Sequence, residues 1–448
     1  MADVEDYRRV ADSVAAEIGA GRLRPGDRLP PQRVFARRHG IANSTAARVY
    51  GELARRGLIV GEVGRGTFVR AAAPRPGFAL VEPAGSRVDL ELNYPVVPGQ
   101  STLLADGIGP LLRADVLESV MRPVGAAGTP LARGIVADLL ARGEWRPDPE
   151  RLLFAGNGRQ AVAAAIAALV PPGARLGVEA LTYPVLKGIA GRIGVTLVPL
   201  RVDAAGLDPA AVEVAARRAS LRAVYVQPTL HNPLSVSMPV ERRAELAGVL
   251  ARLDVFAIED AVWSFLREDL PPLAAFAAER TVLVDSLSKR LAPGLSLGFA
   301  VMPGSVVAGV GAALRSGGWT PMRFALEAAT RWLTDDTVRS VARAKRRDAA
   351  LRQEIAARHL EGFAIRSDPR SYYCWWELPS PWRADTFVAA AARHDIAVTP
   401  AAAFAVGRNS APNAIRLALA SPSPEVLSWA LATLADLARS TPDDLVAE

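Results

Sequence analysis

The sequence predicts an α/β protein in two parts: a short unit of three helices and a hairpin, then a large domain on a mostly parallel sheet. Three observations carry this. Val4, Tyr7, Val10, Val14 and Ile18 recur at helical spacing over residues 4–19. From about residue 89, apolar runs (RLGVEA, RAVYVQP, VFAIED, RTVLVD) alternate with helical stretches at 159–170, 184–192, 209–219 and 239–252. That is the order of parallel strands joined by crossover helices in a three-layer domain. Near residue 321 the strand signals thin. A long helix bearing RAKRR and the strands YYCWWEL and AIRLALA then form a small C-terminal α+β subdomain. The expected divisions are 1–70, a linker at 71–88, a large domain at 89–320 and the subdomain at 321–448.

Composition narrows the classes. A chain of 448 residues suggests about three domains. With 50% hydrophobic and 22% charged residues it has the apolar surface to fold. The single cysteine, Cys374, excludes a disulfide framework and a cysteine zinc site, and four scattered histidines suggest no metal. The start, MADVEDYRRV, is no signal peptide, and the Ala-rich run 161–170 is too short to span a bilayer. A soluble, cytoplasmic protein is expected. Residues 1–70 hold 13 Arg against 8 acidic residues, so most of the net charge of +7 sits there, which suits a nucleic-acid partner or a solvated arginine face. Only Lys187, Lys289 and Lys345 are lysines among 53 basic residues. Arginine replaces lysine as a surface charge but cannot form a Schiff base.

The N-terminal elements follow in order. GRLRPGDRLP is a loop, Gln32–Arg38 a short helix, and Gly40 breaks it. Asn43 and Ser44 cap a third helix that Gly57 ends. Leu58–Val60 and Thr67–Val69 flank a glycine-rich hairpin tip. Three helices and a hairpin make a winged helix-turn-helix, whose third helix enters the major groove of double-stranded DNA. Asn43, Ser44, Thr45 and Arg48 then meet bases and phosphates. Arg33, Arg37 and Arg38 hold the backbone, and Arg65, between Gly64 and Gly66, reaches a minor groove. Asn43 and Ser44 also read simply as caps, and Arg37 and Arg38 as solvated charges. The stretch LPPQRVFARRHGIANSTAARVYGELARRGLIVGEVGRGTFV resembles the GntR-type winged-helix signature almost end to end, at Leu29-Pro30, Arg33, Ala36, Gly40, Thr45, Arg48, Tyr50, Leu53, Gly57 and Gly64–Val69. Asn43 stands where that family often has Arg, which leaves the DNA sequence open.

In the large domain, Lys289 (VDSLSKRLAPGLSLGF) ends a buried apolar run, where desolvation frees a nucleophilic amine. Ser286 and Ser288 offer hydroxyls to a phosphate. Lys345 and Lys187 read as surface residues. Asp260 ends the strand VFAIED, a costly place for an unpaired carboxylate. Asn232 closes another strand in an Asn-Pro turn, and Tyr183 is a candidate for ring stacking. Gly156–Gln160, with Gly158, Arg159 and Gln160, opens a helix whose free amides make a phosphate seat. Such strand ends are where α/β sheets bind ligands.

This order resembles the fold-type I pyridoxal-phosphate enzymes, the aspartate aminotransferase-like group, over residues 90–440. The resemblance implies that Lys289 forms the internal aldimine, Asp260 pairs the pyridine nitrogen, Asn232 holds the phenolate oxygen and Tyr183 stacks. It also implies that Arg416, in NAIRLALA, binds a substrate α-carboxylate. Two departures stand out: Val262-Trp263 where the family has Tyr, and Ser296 where it has a phosphate-gripping Arg. Arg159 and Arg290 are the candidates to replace that charge. A GntR-type reader fused to such a domain resembles the MocR subgroup of transcriptional regulators, which implies a homodimer and an amine or amino-acid effector that forms an external aldimine. The alternatives are a working aminotransferase with an accessory reader, and a scaffold without cofactor.

Overall fold

The computed structural model describes residues 2–19, 22–24, 26–55, 58–62, 66–69, 88–407 and 411–442. The N-terminal unit has the helices Ala2–Gly19, Gln32–His39 and Asn43–Arg55, then the antiparallel strands Ile59–Glu62 and Gly66–Val69. A third strand, Arg28–Leu29, pairs with Gly66–Val69 inside the stretch read from sequence as a loop. Val14, Phe35, Ala46, Val49 and Leu53 form its core. Gly40, at φ +63°, closes the second helix in the left-handed conformation that glycine adopts without strain. The Tyr50 hydroxyl donates to the Pro30 carbonyl and so pins the third helix to the start of the second. Of the expected linker, 71–87 lie outside the described residues.

The central sheet has seven strands in the order Leu152–Ala155, Gly298–Val301, Thr281–Ser286, Phe256–Asp260, Leu221–Val226, Arg175–Glu179, Thr196–Leu200. Gly298–Val301 runs against both neighbours and the other pairings are parallel. The near-continuous burial of the inner strands follows from helices on both faces. Gly298 is held by close approach: a β-carbon there would lie 2.3 Å from the Asn157 carbonyl.

A second sheet of five strands runs Ala364–Ser367, Tyr373–Glu377, Ala414–Ala418, Ile396–Pro400, Val88–Leu90. Its last member comes from the start of the large part of the chain and pairs in parallel with Ile396–Pro400. The helix Thr337–His359 is embedded in two cores. Val338 and Val341 pack with the large sheet's strands and the helix Arg323–Thr334, whereas Ile355 and Ala356 pack under the small sheet. The small sheet's core thus draws on this helix's second half and on Val88 and Leu90. No helix among the described residues is long and apolar enough to cross a membrane, and none of their side chains cluster as metal ligands.

Replacing Gly298 by Ala should lower stability by about 1–3 kcal/mol through overpacking against the Asn157 carbonyl. A fall in the urea midpoint at unchanged slope checks this, and an unchanged midpoint refutes it.

Candidate functional site

The strand ends converge as parallel-sheet geometry requires. Lys289 sits on the single helical turn Leu287–Arg290, directly after the strand Thr281–Ser286. Its ammonium donates to the Asn93 carbonyl at 2.6 Å and lies 5.1 Å from the Tyr94 ring and 5.5 Å from the Trp263 ring. Burial, reinforced by the charges of Arg159 and Arg416, pushes the Lys289 amine down to about 7. Trp263, at the position of the family's tyrosine, thus packs beside the lysine, with its ring against Tyr373 at 5.7 Å.

Asp260 is not left to a ligand alone, as the sequence suggested. Its Oδ2 accepts from the Tyr225 hydroxyl at 2.5 Å and from Gln227 Nε2 at 3.1 Å, and Oδ1 accepts from the Val262 amide at 3.1 Å. Burial pushes the Asp260 carboxyl up while these donors pull it down. Gln227 also accepts from the Asn232 amide at 3.2 Å, so one side chain joins both residues. Tyr225 and Gln227 were missed from sequence; their i, i+2 spacing at a strand end was the available sign. Arg416 donates to Asn232 Oδ1 at 3.2 Å, to Thr399 Oγ1 at 3.1 Å and to the Glu91 carbonyl. Its Nε is buried with no hydrogen-bond partner among the described residues, and burial pushes its guanidinium down to about 10. Burial and the neighbouring Asp89 push the Glu91 carboxyl up to about 7, against the pull of Arg416.

The helix Gly158–Leu169 starts beside these groups, capped by Asn157, which accepts from the Gln160 amide at 3.0 Å. A β-carbon on Gly158 would lie 3.0 Å from Ser286 Oγ. Gln160 Oε1 is buried without a hydrogen-bond partner among the described residues. Arg159 is exposed and donates to the Tyr183 hydroxyl at 3.1 Å. Ser286 caps the Lys289 turn, accepting from the Ser288 amide at 3.3 Å, and the Ser288 and Ser296 hydroxyls bond each other. Arg290 cannot replace the missing arginine: it is buried and paired to Asp285 at 2.6 Å. Arg159 is the cation left for that place.

Lys345 is a second correction. Its side chain is fully buried, and its ammonium donates to the carbonyls of Lys289, at 2.9 Å, and Leu291. Lys187 is half-buried and donates to the carbonyls of Ala403 and, at 3.2 Å, Ala405. In the reader, Arg33, Asn43, Ser44 and Arg48 are exposed, as DNA contacts require. Thr45 is buried, so it packs the helix rather than facing a groove. Gly66 begins the wing's second strand, and Arg65 lies outside the described residues.

The fold and site define a winged helix-turn-helix joined to a fold-type I aminotransferase-like domain. The chain belongs to the aminotransferase class I and II family, whose model matches residues 124–434, and residues 6–69 match the bacterial regulatory proteins of the gntR family. This pairing is that of the MocR-type regulators. The uncharacterized HTH-type transcriptional regulator YdeF of Bacillus subtilis is 28% identical over 93% of this chain and 90% of its own length. The probable rhizopine catabolism regulatory protein MocR of Rhizobium meliloti is 26% identical over 79% of this chain and 77% of its own. Among solved structures, an archaeal alanine:glyoxylate aminotransferase shares the fold at a TM-score of 0.73 and 21% identity, covering 86% of this chain and 97% of that one. The relatives that match along both parts are transcriptional regulators, which favours the regulator reading over a working aminotransferase. The aminotransferase family uses pyridoxal phosphate.

A lysine whose value falls from 10.5 to about 7 on folding binds fewer protons folded than unfolded between those limits. Stability therefore rises with pH across that window, by up to about 1.4 kcal/mol per unit for one such lysine. Lys289→Met should flatten the rise of the urea midpoint between pH 7 and 9; a slope identical to wild type would show that the amine is not desolvated.

Proposed function

We propose that the protein is a DNA-binding transcriptional regulator whose larger domain holds pyridoxal phosphate and senses an amine or amino acid. The observation that carries this is the desolvated Lys289 amine, set between Arg159 and Arg416 in a chain that also bears an exposed reader helix. The residues fit the group. Gln160 Oε1 and Arg416 Nε are buried polar atoms in want of partners among the described residues.

Pyridoxal phosphate supplies an aldehyde that captures amines and a ring that accepts electrons. When the group is bound, Lys289 would provide the anchoring amine, Asp260 would pair the ring nitrogen, Asn232 would hold the phenolate oxygen and Tyr183 would stack on the ring. Gly158, Arg159, Gln160, Ser286 and Ser288 would hold the phosphate at a helix N-terminus. Arg416 receives an effector's carboxylate as a bidentate partner. An effector that favours one arrangement of the domains over another shifts DNA affinity by that difference. In the reader, Arg33 and Arg48 meet phosphates while Asn43 and Ser44 meet base edges, with Arg65 and Gly66 at the wing. A homodimer would cover exposed apolar side chains such as Leu112, Leu131 and Met322. It would present two readers to paired half-sites. A cytoplasmic location follows from this role.

An absorbance titration with pyridoxal phosphate tests the reading. Wild type should develop a long-wavelength band that Lys289→Ala lacks, and one amino acid or amine should shift it. Identical free-cofactor spectra from both proteins would overturn it, and sustained turnover with an amino donor and a keto acceptor would favour the enzyme. For the reader, Arg33→Ala and Arg48→Ala should each reduce the slope of log affinity against log salt by about 1 on duplex DNA. Unchanged slopes would remove those residues from the interface.

A further inference from the structure

Three lysines survive among 53 basic residues, and the site accounts for one of them. Lys345 comes from the long helix Thr337–His359, 56 residues further along the chain than Lys289, yet its ammonium ends on the turn that carries Lys289. That turn is four residues long, too short to satisfy its own terminal carbonyls. Lys345 Nζ takes two of them, those of Lys289 and Leu291, and the Leu291 carbonyl also accepts from Gln100 Nε2 at 3.2 Å. The helix is fixed locally by the Tyr372 hydroxyl, which lies 2.8 Å from the Lys345 carbonyl and 2.9 Å from the Asp348 carboxylate and shares its one proton between them. A compact ammonium reaches both carbonyls in a fully buried place; a planar guanidinium is a larger, rigid fork that cannot copy it. This explains why lysine persists here in an arginine-rich chain.

We propose that Lys345 is a positioning residue for Lys289: its ammonium ties the lysine-bearing turn to the long helix, sets where the Lys289 amine sits, and passes shifts of that helix to it. The inference deepens the reading of Lys289 as the reactive amine and rests on it. The charged groups facing Lys289 are Arg159, Arg416 and Lys345, with the rings of Tyr94 and Trp263 beside it. Those facing Lys345 are Lys289 and Asp348.

Competitive acetylation of the full-length protein by trace acetic anhydride between pH 6 and 10 tests this, with each lysine resolved by peptide mass spectrometry. The chain has few amines, so the three curves separate cleanly, and no cofactor is needed. In Lys345→Met, release of the turn should let water reach the Lys289 amine and move its midpoint up by about half to one pH unit. Its acetylation rate at pH 7 should fall about twofold to fivefold. Lys345→Arg should not restore the wild-type curve, and Lys187→Met, which loses a lysine that clamps other carbonyls, should leave it in place. If Lys345→Met is unfolded by circular dichroism, Lys345→Gln is read in the same way. A wild-type Lys289 curve in the folded variant, with or without a lower Tm, overturns the proposal, as does an equal shift in Lys187→Met. Failure of the cofactor reading shows separately, as a wild type without a Lys289-dependent absorbance band.

Discussion

An ammonium taken out of water loses several kcal/mol of hydration, and the loss is met by partners or by release of the proton. At Lys289 both occur. The Asn93 carbonyl and two aromatic rings receive the amine, while burial and two arginines favour its neutral form. The surrounding structure follows from that constraint. A lysine poised near neutrality has to be largely shielded from solvent, so the site draws on the strand ends of the large sheet, on Asn93 and Tyr94 in the loop after Leu90, and on Arg416 from the small sheet.

Most polar groups below the site are paired, although His231 Nε2 is buried without a hydrogen-bond partner among the described residues. Gln227 spans Asp260 and Asn232, and its own amide donates to Glu179 at 3.2 Å. Glu179 in turn stands 3.2 Å from His231. Arg243, fully buried, donates to the carbonyls of Met238, Pro228 and Pro271 and to Thr229, holding the loop that presents Asn232. A buried network with every member paired fixes geometry, whereas one missing donor leaves a desolvated group behind. Burial raises the Asp260 carboxyl, and the three donors aimed at it limit that rise.

Much of this was legible in the sequence because periodicity and strand-end chemistry are local. The four parallel strands named from sequence, their crossover helices and the three reader helices lie within a residue or two of their expected places. Lys289 stood out because arginine could not replace it. What was hidden is set by tertiary neighbours. Lys345 lies in RAKRR, a run that looks solvated until the helix is docked. Arg290 looks available until Asp285 is found beside it, and Thr45 looks like a groove contact until Val49 and Leu53 turn its side of the helix inward. The strands Arg28–Leu29 and Val88–Leu90 are too short to carry a pattern and exist only because a sheet edge receives them.

The helix Thr337–His359 has a mechanical consequence. At about 1.5 Å per residue it is a rod roughly 35 Å long, clamped in one core near its start and in another near its end. A beam held at both ends resists bending far more than a pair of domains joined by a loop. The small unit is therefore stiff against swinging and compliant mainly to twist about the rod's axis. A signal that travels along this protein is then better pictured as torque than as the closing of a jaw.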